Sequence, residues 1–328
     1  VLEEVSVKAA VVRSFEVPPR CEEFPVPSAA GEHESLVDVV AAGLHPRVRS
    51  QADGSHYTST SELPLVPGID GVGRGADGRL RYFVLPDTAM GAMAEQTVID
   101  ERRSVVLPEG TDAVAVAAAM NPAMSSWLAL RRRIDFRAGQ KVLVLGATGN
   151  AGELAVQIAR RFGAARIVAV GRDEARLARL QALGATDTVA LRGDRGATAE
   201  RLGQVAADVD VVLDYLWGEA AAAALVALMT HRSDRGAPLT WIAIGSVAGP
   251  TAPIPSAALR AGRLAIVGSG QGSVSTEDIL AELPALAEAI TGAAFEIAAR
   301  PVLLCDVERA WTDTGGARER VVITPQAS

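Results

Sequence analysis

The sequence predicts an α/β chain with a doubly wound parallel sheet at its centre and a β-rich domain assembled from both ends. Three observations predict this. Lys141-Val142-Leu143-Val144-Leu145-Gly146-Ala147-Thr148-Gly149-Asn150-Ala151-Gly152 reads as a strand, a tight glycine turn and a helix start. Further apolar strand candidates follow it as far as Val267, alternating with helical patterns. The flanks behave differently: short apolar runs there are broken by Pro and Gly.

In chain order, the first 120 residues read as β-rich. Apolar runs such as Ser35 to Val40 and Arg81 to Leu85 recur between turns. Val66-Pro67-Gly68-Ile69-Asp70-Gly71-Val72-Gly73 has the texture of a strand with close backbone packing. Thr111 to Ala119 is an alanine-rich helix that Met120-Asn121-Pro122 should interrupt, with a second helix over Ala123 to Arg133. Pro suits a helix beginning, so the domain boundary is expected here.

The central strands are expected at Lys141–Leu145, Arg166–Val170, Thr188–Leu191, Val209–Leu213, Leu239–Ile244 and Leu264–Val267. A helix over Gly152 to Phe162 places Leu154, Ile158 and Phe162 on one face, and one over Asp173 to Leu183 aligns Leu177, Leu180 and Leu183. Strands linked by crossover helices make a doubly wound dinucleotide domain, the Rossmann plan. After Gly268 to Ser273 comes a helix from about Thr276 to Glu288. Strands at Pro301–Cys305 and Arg320–Ile323 then flank a short helix, Asp306–Asp313. A six-stranded nucleotide sheet has no place for those last elements. They are expected to rejoin the first domain, giving 1–121 and 269–328 as one domain and 122–268 as the other.

Bulk composition narrows the class. The chain has 328 residues, 49% hydrophobic and 22% charged, with a formal net charge of -7. That is an ordinary globular composition, with no basic patch to favour nucleic acid. No run of 18 apolar residues and no signal-peptide pattern is read, so a cytoplasmic protein without a membrane span is the default expectation. The heavy use of Ala, Gly and Arg matches bacterial composition. Cys21 and Cys305 are too few for a disulfide scaffold or a four-thiolate zinc cluster.

The glycine turn carries the chemistry. Gly146, Gly149 and Gly152 follow a strand and precede a periodic helix. In that setting the backbone donors of Thr148, Gly149, Asn150, Ala151 and Gly152 are expected to meet a dinucleotide pyrophosphate. The second strand ends in Gly171-Arg172, with Arg176 a turn later. An NAD site would place an acid there; two guanidinium groups instead suit the 2'-phosphate of NADPH. Paired with Asp173 or Glu174, the same arginines would be ordinary helix residues. Ligands sit at the carboxyl ends of parallel strands, which adds Asp214 and Gly245-Ser246. Asp214 either lines that cleft or caps the next helix.

Together these residues resemble the medium-chain dehydrogenase/reductase superfamily, in its zinc-free quinone oxidoreductase-like branch. The resemblance runs through Leu36-Val37-Asp38-Val39-Val40-Ala41-Ala42-Gly43-Leu44-His45-Pro46, Pro67 to Gly73, Gly91-Ala92-Met93-Ala94-Glu95, Asn121-Pro122, the glycine turn and Leu183-Gly184-Ala185. It implies a GroES-like β-rich catalytic domain beside the Rossmann domain, and a homodimer formed through the nucleotide domains. It implies NADPH as the reductant for quinones or electron-poor alkenes. It further implies that Gly146, Gly149 and Gly152 line the pyrophosphate, that Arg176 approaches the 2'-phosphate and that Asn121 lies near the nicotinamide.

The chain departs from the zinc-dependent relatives. They carry a cysteine near position 45 and Gly-His-Glu near 68 to 70; here stand His45 and Gly68-Ile69-Asp70. No metal is therefore expected. An acceptor carbonyl gaining charge from hydride wants a donor. His45 and Tyr57 are the candidate donors, with His56 a weaker one. A short-chain reductase would need a Tyr-x-x-x-Lys pair, which none of Tyr57, Tyr82 and Tyr215 supplies. A regulatory NADPH-binding protein with little turnover and a zinc-dependent alcohol dehydrogenase are the alternatives.

Overall fold

The computed structural model of the protein describes residues 6–56, 59–313 and 319–326. The chain divides into two compact units: residues 1–121 with 280–328, and residues 122–279. The return to the first unit falls eleven residues beyond the expected position 268, because the helix after the last central strand begins in one unit and ends in the other.

The first unit opens with the antiparallel hairpin of β1 (Ser6–Val11) and β2 (Arg20–Pro25). Next come β3 (Glu34–Gly43), α1 (Pro46–Ala52), β4 (Asp70–Arg74), β5 (Leu80–Val84), β6 (Gln96–Asp100) and β7 (Ser104–Val106). Then α2 runs over Ala113–Leu128 without a break at Pro122. Proline inside a helix costs about 3 kcal/mol through its missing donor and ring clash. Val116, Ala117, Ala118, Ala119, Met120, Ala123 and Trp127 are all buried along this helix. At about 1.5–3 kcal/mol for each large apolar side chain, that burial outweighs the proline penalty. The helix ends in a wider turn, Ala129–Arg133, in which the Ile134 N–H donates to the Ala129 carbonyl. The span Ala113–Arg133 is long and apolar enough to cross a membrane by length and composition, yet most of its apolar stretch is buried within the fold.

The second unit follows the doubly wound plan. Its strands are β8 (Lys141–Leu145), β9 (Arg166–Gly171), β10 (Asp187–Ala190), β11 (Val211–Asp214), β12 (Leu239–Ala243) and β13 (Leu264–Gly268). They are linked by α3 (Asn150–Arg161), α4 (Glu174–Leu183), α5 (Arg195–Ala206), α6 (Gly218–His231) and α7 (Ser256–Arg260). The sheet is parallel throughout, in the order β10-β9-β8-β11-β12-β13. Strands β8, β9 and β11 are covered on both faces, as their unbroken Val, Leu and Ile runs require. Leu143, Leu145, Val168, Val170, Val212 and Trp241 anchor the core.

After α8 (Thr276–Thr291) the chain adds β14 (Ala299–Leu303), a one-turn segment Leu304–Asp306, α9 (Val307–Thr312) and β15 (Arg320–Thr324). The last strand pairs with both β14 and β3, so the C-terminal residues complete a seven-stranded sheet begun near the N-terminus. This is a Rossmann unit with a discontinuous GroES-like β unit.

Candidate functional site

In the second unit the strand order reverses between β8 and β11, whose ends meet at the pair Leu145 and Asp214. A crevice for a ligand forms at such a switch point, outside the carboxyl ends of the strands. Two turns flank it: 146–149 after β8 and 214–217 after β11.

The first turn is built by backbone. Gly146 takes φ +86°, a left-handed conformation that glycine adopts freely. The N–H groups of Gly146 and Ala147 both donate to the Val170 carbonyl, at 2.9 and 2.8 Å, and Gly149 N–H donates back to Gly146 at 3.1 Å. The chain then enters α3 with Gly149 at the N-cap and no side-chain cap. Helix starts leave N–H groups without intrahelical partners, and here no side chain covers them. The first-turn amides of Asn150, Ala151 and Gly152 thus form a cradle for an anion. Gly152 fixes how closely α3 sits on the turn: a Cβ there would lie 2.3 Å from the Gly146 oxygen and 2.6 Å from Ala147 Cα. At exposed Gly149, a Cβ would meet only the Gly146 oxygen, at 3.5 Å. These glycines fit a pyrophosphate.

The end of β9 stands beside this turn. A Cβ on Gly171 would come within 2.5 Å of the Thr148 side chain, so Gly171 makes room for Thr148. The Arg176 guanidinium donates to the Thr148 carbonyl at 2.6 Å and lies 3.6 Å from Asp173, which caps α4 through Arg176 N–H. Arg172 is exposed. Arg176 thus joins the end of β9 to the glycine turn by direct contact, and with Arg172 beside it the residues fit a 2'-phosphate.

Asp214 belongs to the protein interior. It is 0% exposed and accepts from Leu216 N–H at 2.8 Å, Trp217 N–H at 3.0 Å and Trp241 Nε1–H at 2.9 Å. Its carboxylate holds the 214–217 turn, including Trp217 at φ +52°. Burial raises its pKa, opposed by those donors. Gly245 N–H donates to the Asp214 carbonyl, and a Cβ on Gly245 would meet the Tyr215 oxygen at 2.9 Å. Ser246 beside it is exposed, and Asn121 is half-buried on α2.

Tyr215 is a residue that sequence reasoning passed over. Its N–H donates to Leu145, which sets it at the switch point, and its hydroxyl lies 2.9 Å from Ser125 Oγ. Burial pushes the phenol up to about 12, so it remains a neutral donor. The available signal was its place directly after a strand-ending acid.

His45 lies in the first unit and is 2% exposed. It caps α1 through its backbone, with Pro46 in the first turn. Gly43 makes room for the ring: a Cβ there would fall 2.5 Å from His45 Nε2. The ring approaches Asp70 Oδ1 at 3.2 Å without the alignment of a hydrogen bond, and Tyr82 donates to the other Asp70 oxygen at 2.8 Å. Arg320 is half-buried nearby, its guanidinium bonded to the Leu44 carbonyl and its pKa lowered to about 10 by desolvation. His45 is therefore an interior residue of this unit, with its ring against Asp70. Tyr57 lies outside the described residues. His56 is half-buried, with its N–H bonded to the Ser50 carbonyl.

Burial lowers the His45 pKa, with Asp70 pulling the other way. The unfolded ring, with a pKa near ~6.5, then binds its proton at higher pH than the folded one. Stability from this group is complete above the unfolded pKa and declines as pH falls toward the folded value. Melting curves between neutral and mildly acidic pH should show a steeper acid-side loss for the wild type than for His45→Asn. Parallel losses would place the acid sensitivity elsewhere.

Comparison with known proteins agrees with this geometry. Residues 151–288 match the zinc-binding dehydrogenase family. A protein of Emericella nidulans named as a probable NADPH-dependent quinone reductase is 32% identical, over 97% of this chain and 99% of its own. The chain belongs to the medium-chain dehydrogenase/reductase superfamily. It falls in the quinone oxidoreductase-like branch. The quinone oxidoreductase of Thermus thermophilus, whose structure was also solved with NADPH, superposes with a TM-score of 0.79 at 26% identity, over 97% of this chain and 99% of that one. A 2-methylene-furan-3-one reductase of Solanum lycopersicum is 30% identical over 47% of this chain and 44% of its own. Where zinc members carry their histidine ligand, this chain has buried Ile69, which has no donor atom for a metal. Among the described residues no group of three or more His, Cys, Asp and Glu is arranged to hold a metal ion.

Proposed function

We propose that this chain reduces quinones or α,β-unsaturated carbonyls with NADPH by direct hydride transfer, without a metal. The observation that carries this reading is the uncapped start of α3 at the switch point, joined through Thr148 to Arg176 just beyond the end of β9. The full-length likeness to a protein named for NADPH-dependent quinone reduction supports the same chemistry.

The cofactor supplies the hydride, and the protein supplies position and polarisation. The amides of Asn150, Ala151 and Gly152 hold the pyrophosphate. Arg172 and Arg176 supply fork-shaped positive donors to the 2'-phosphate. Gly245, bonded to the turn that Asp214 holds, lets backbone run close to the nicotinamide half, with Ser246 and Asn121 as further cofactor contacts. An activated acceptor suits a site of this kind because conjugation spreads the charge that arrives with the hydride. Tyr57 is the side-chain donor assigned to the acceptor oxygen, and buried His45 takes a positioning role in the loop that leads to it.

Stopped-flow NADPH oxidation with a quinone, an enone and a simple ketone, with product identification, tests the reaction. Turnover of the first two is expected. Fast turnover of the simple ketone alone, or of none, would overturn it.

The sheet edge supports a homodimer. Strand β13 reads Leu264-Ala265-Ile266-Val267-Gly268 and pairs only with β12 among the described strands. Ile266 is 36% exposed on it. An apolar, unpaired edge is a template for a second chain, and a two-fold axis would satisfy both edges at once. Sedimentation equilibrium at micromolar protein should give twice the protomer mass; a single protomer mass would remove the dimer.

A further inference from the structure

The two cysteines of the chain lie far apart in sequence and side by side in space. Cys21 sits on β2, paired across the hairpin with Ala10. Cys305 sits in the one-turn segment Leu304–Asp306 that leads into α9. Their Sγ atoms are 3.2 Å apart across 284 residues of chain, and both are free thiols. Both backbones are well held. Cys21 packs on the core of the first unit, and the neighbours of Cys305, Leu304 and Val307, are part of that core. Arg20 and Glu308 pair at 3.5 Å across the same junction. Cys305 is exposed and Cys21 only partly so. The pair lies in the first unit, whereas the strands of the nucleotide crevice belong to the second.

We infer that Cys21 and Cys305 form a modification site that takes hydrogen peroxide as oxidant and closes reversibly to an intramolecular disulfide. The exposed Cys305 sulfur attacks one peroxide oxygen. The O–O bond breaks, one water leaves and Cys305 becomes a sulfenic acid. The Cys21 sulfur then attacks Cys305, the S–O bond breaks, and a second water leaves as the S–S bond forms. Two thiols have lost two electrons, and one peroxide has become two waters.

The order of attack follows from the surroundings. Burial and then the contact with Cys305 push the Cys21 thiol up to about 12, so it is a poor first nucleophile. The new bond would tie the N-terminal hairpin to α9. The same helix receives the Arg49 guanidinium on the carbonyls of Ala310 and Trp311, and Arg49 stands four residues from His45. Oxidation would thus brace the base of the His45 loop.

The test uses the full reduced chain treated with hydrogen peroxide, then denatured and alkylated with iodoacetamide. The expected product takes up no alkyl group, is lighter than the reduced chain by two hydrogens, and yields one cross-linked peptide pair holding Cys21 and Cys305. Dithiothreitol should restore both alkylation sites. Cys21→Ser should stop at a Cys305 sulfenic acid that dimedone captures. Sulfinic acid on Cys305 with Cys21 still alkylated, or disulfides only between chains, would overturn the inference. The wild-type result decides the matter even if the variant fails to fold.

Discussion

Gly152→Val should cost the protein its cofactor site, with NADPH affinity falling at least about a hundredfold, equivalent to roughly 2.7 kcal/mol. The added Cβ would meet Gly146 O at 2.3 Å, Ala147 Cα at 2.6 Å and Ala147 C at 2.9 Å. All three are backbone atoms, so no rotamer change relieves them. The turn cannot yield easily, because both of its first amides are fixed on Val170 and Gly146 already uses a left-handed φ. Helix α3 must therefore lift from the turn, which misplaces the amides that hold the pyrophosphate. Overpacking of this kind costs about 1–3 kcal/mol in stability, so the melting temperature should fall by several degrees as well. Gly149→Ala is the matched control. Its Cβ meets one atom at an ordinary 3.5 Å and its backbone is already extended, so folding should be unchanged. Any affinity it loses then reports ligand approach alone. Isothermal titration and melting curves on both variants decide the case, and wild-type affinity and stability in Gly152→Val would refute the role of close packing.

The central unit was legible because its physics is local. A run such as Lys141–Leu145 needs burial on both faces, the glycines after it have one backbone use, and Leu154 and Ile158 recur at helical spacing. What stayed hidden depends on partners distant in sequence. Pro122 reads as a break until the buried side chains on both sides of it are seen to hold one helix together. Asp214 reads as a cap or a cleft residue, and the bond from Trp241 on the next strand, which with two amides makes it the anchor of the turn, could not be read. His45 reads as a reactive loop residue, but Asp70, Tyr82 and Arg320 enclose it, the last from the opposite end of the chain. Arg172 and Arg176 were readable as a pair beside a strand end. The contact from Arg176 to Thr148 was not, since it joins two crossovers through a backbone oxygen.

That contact separates two roles in the expected result for Arg172→Ala, Arg176→Ala. The double variant should bind NADPH about a hundredfold more weakly, since each charged hydrogen bond lost contributes roughly 1.5–3 kcal/mol before solvent screening. NADH has no 2'-phosphate and should lose only what the turn loses. Arg172 is exposed, so Arg172→Ala alone should weaken NADPH and leave NADH unchanged. Arg176 also braces the Thr148 carbonyl, so Arg176→Ala should weaken both cofactors somewhat and NADPH more. Salt gives an independent reading: the NADPH preference of the wild type should shrink as ionic strength rises, because the phosphate contact is electrostatic and partly exposed. In the double variant that salt dependence should largely vanish. Equal losses of NADPH and NADH in Arg172→Ala, or a preference for NADPH that survives both substitutions, would show that the 2'-phosphate is held elsewhere.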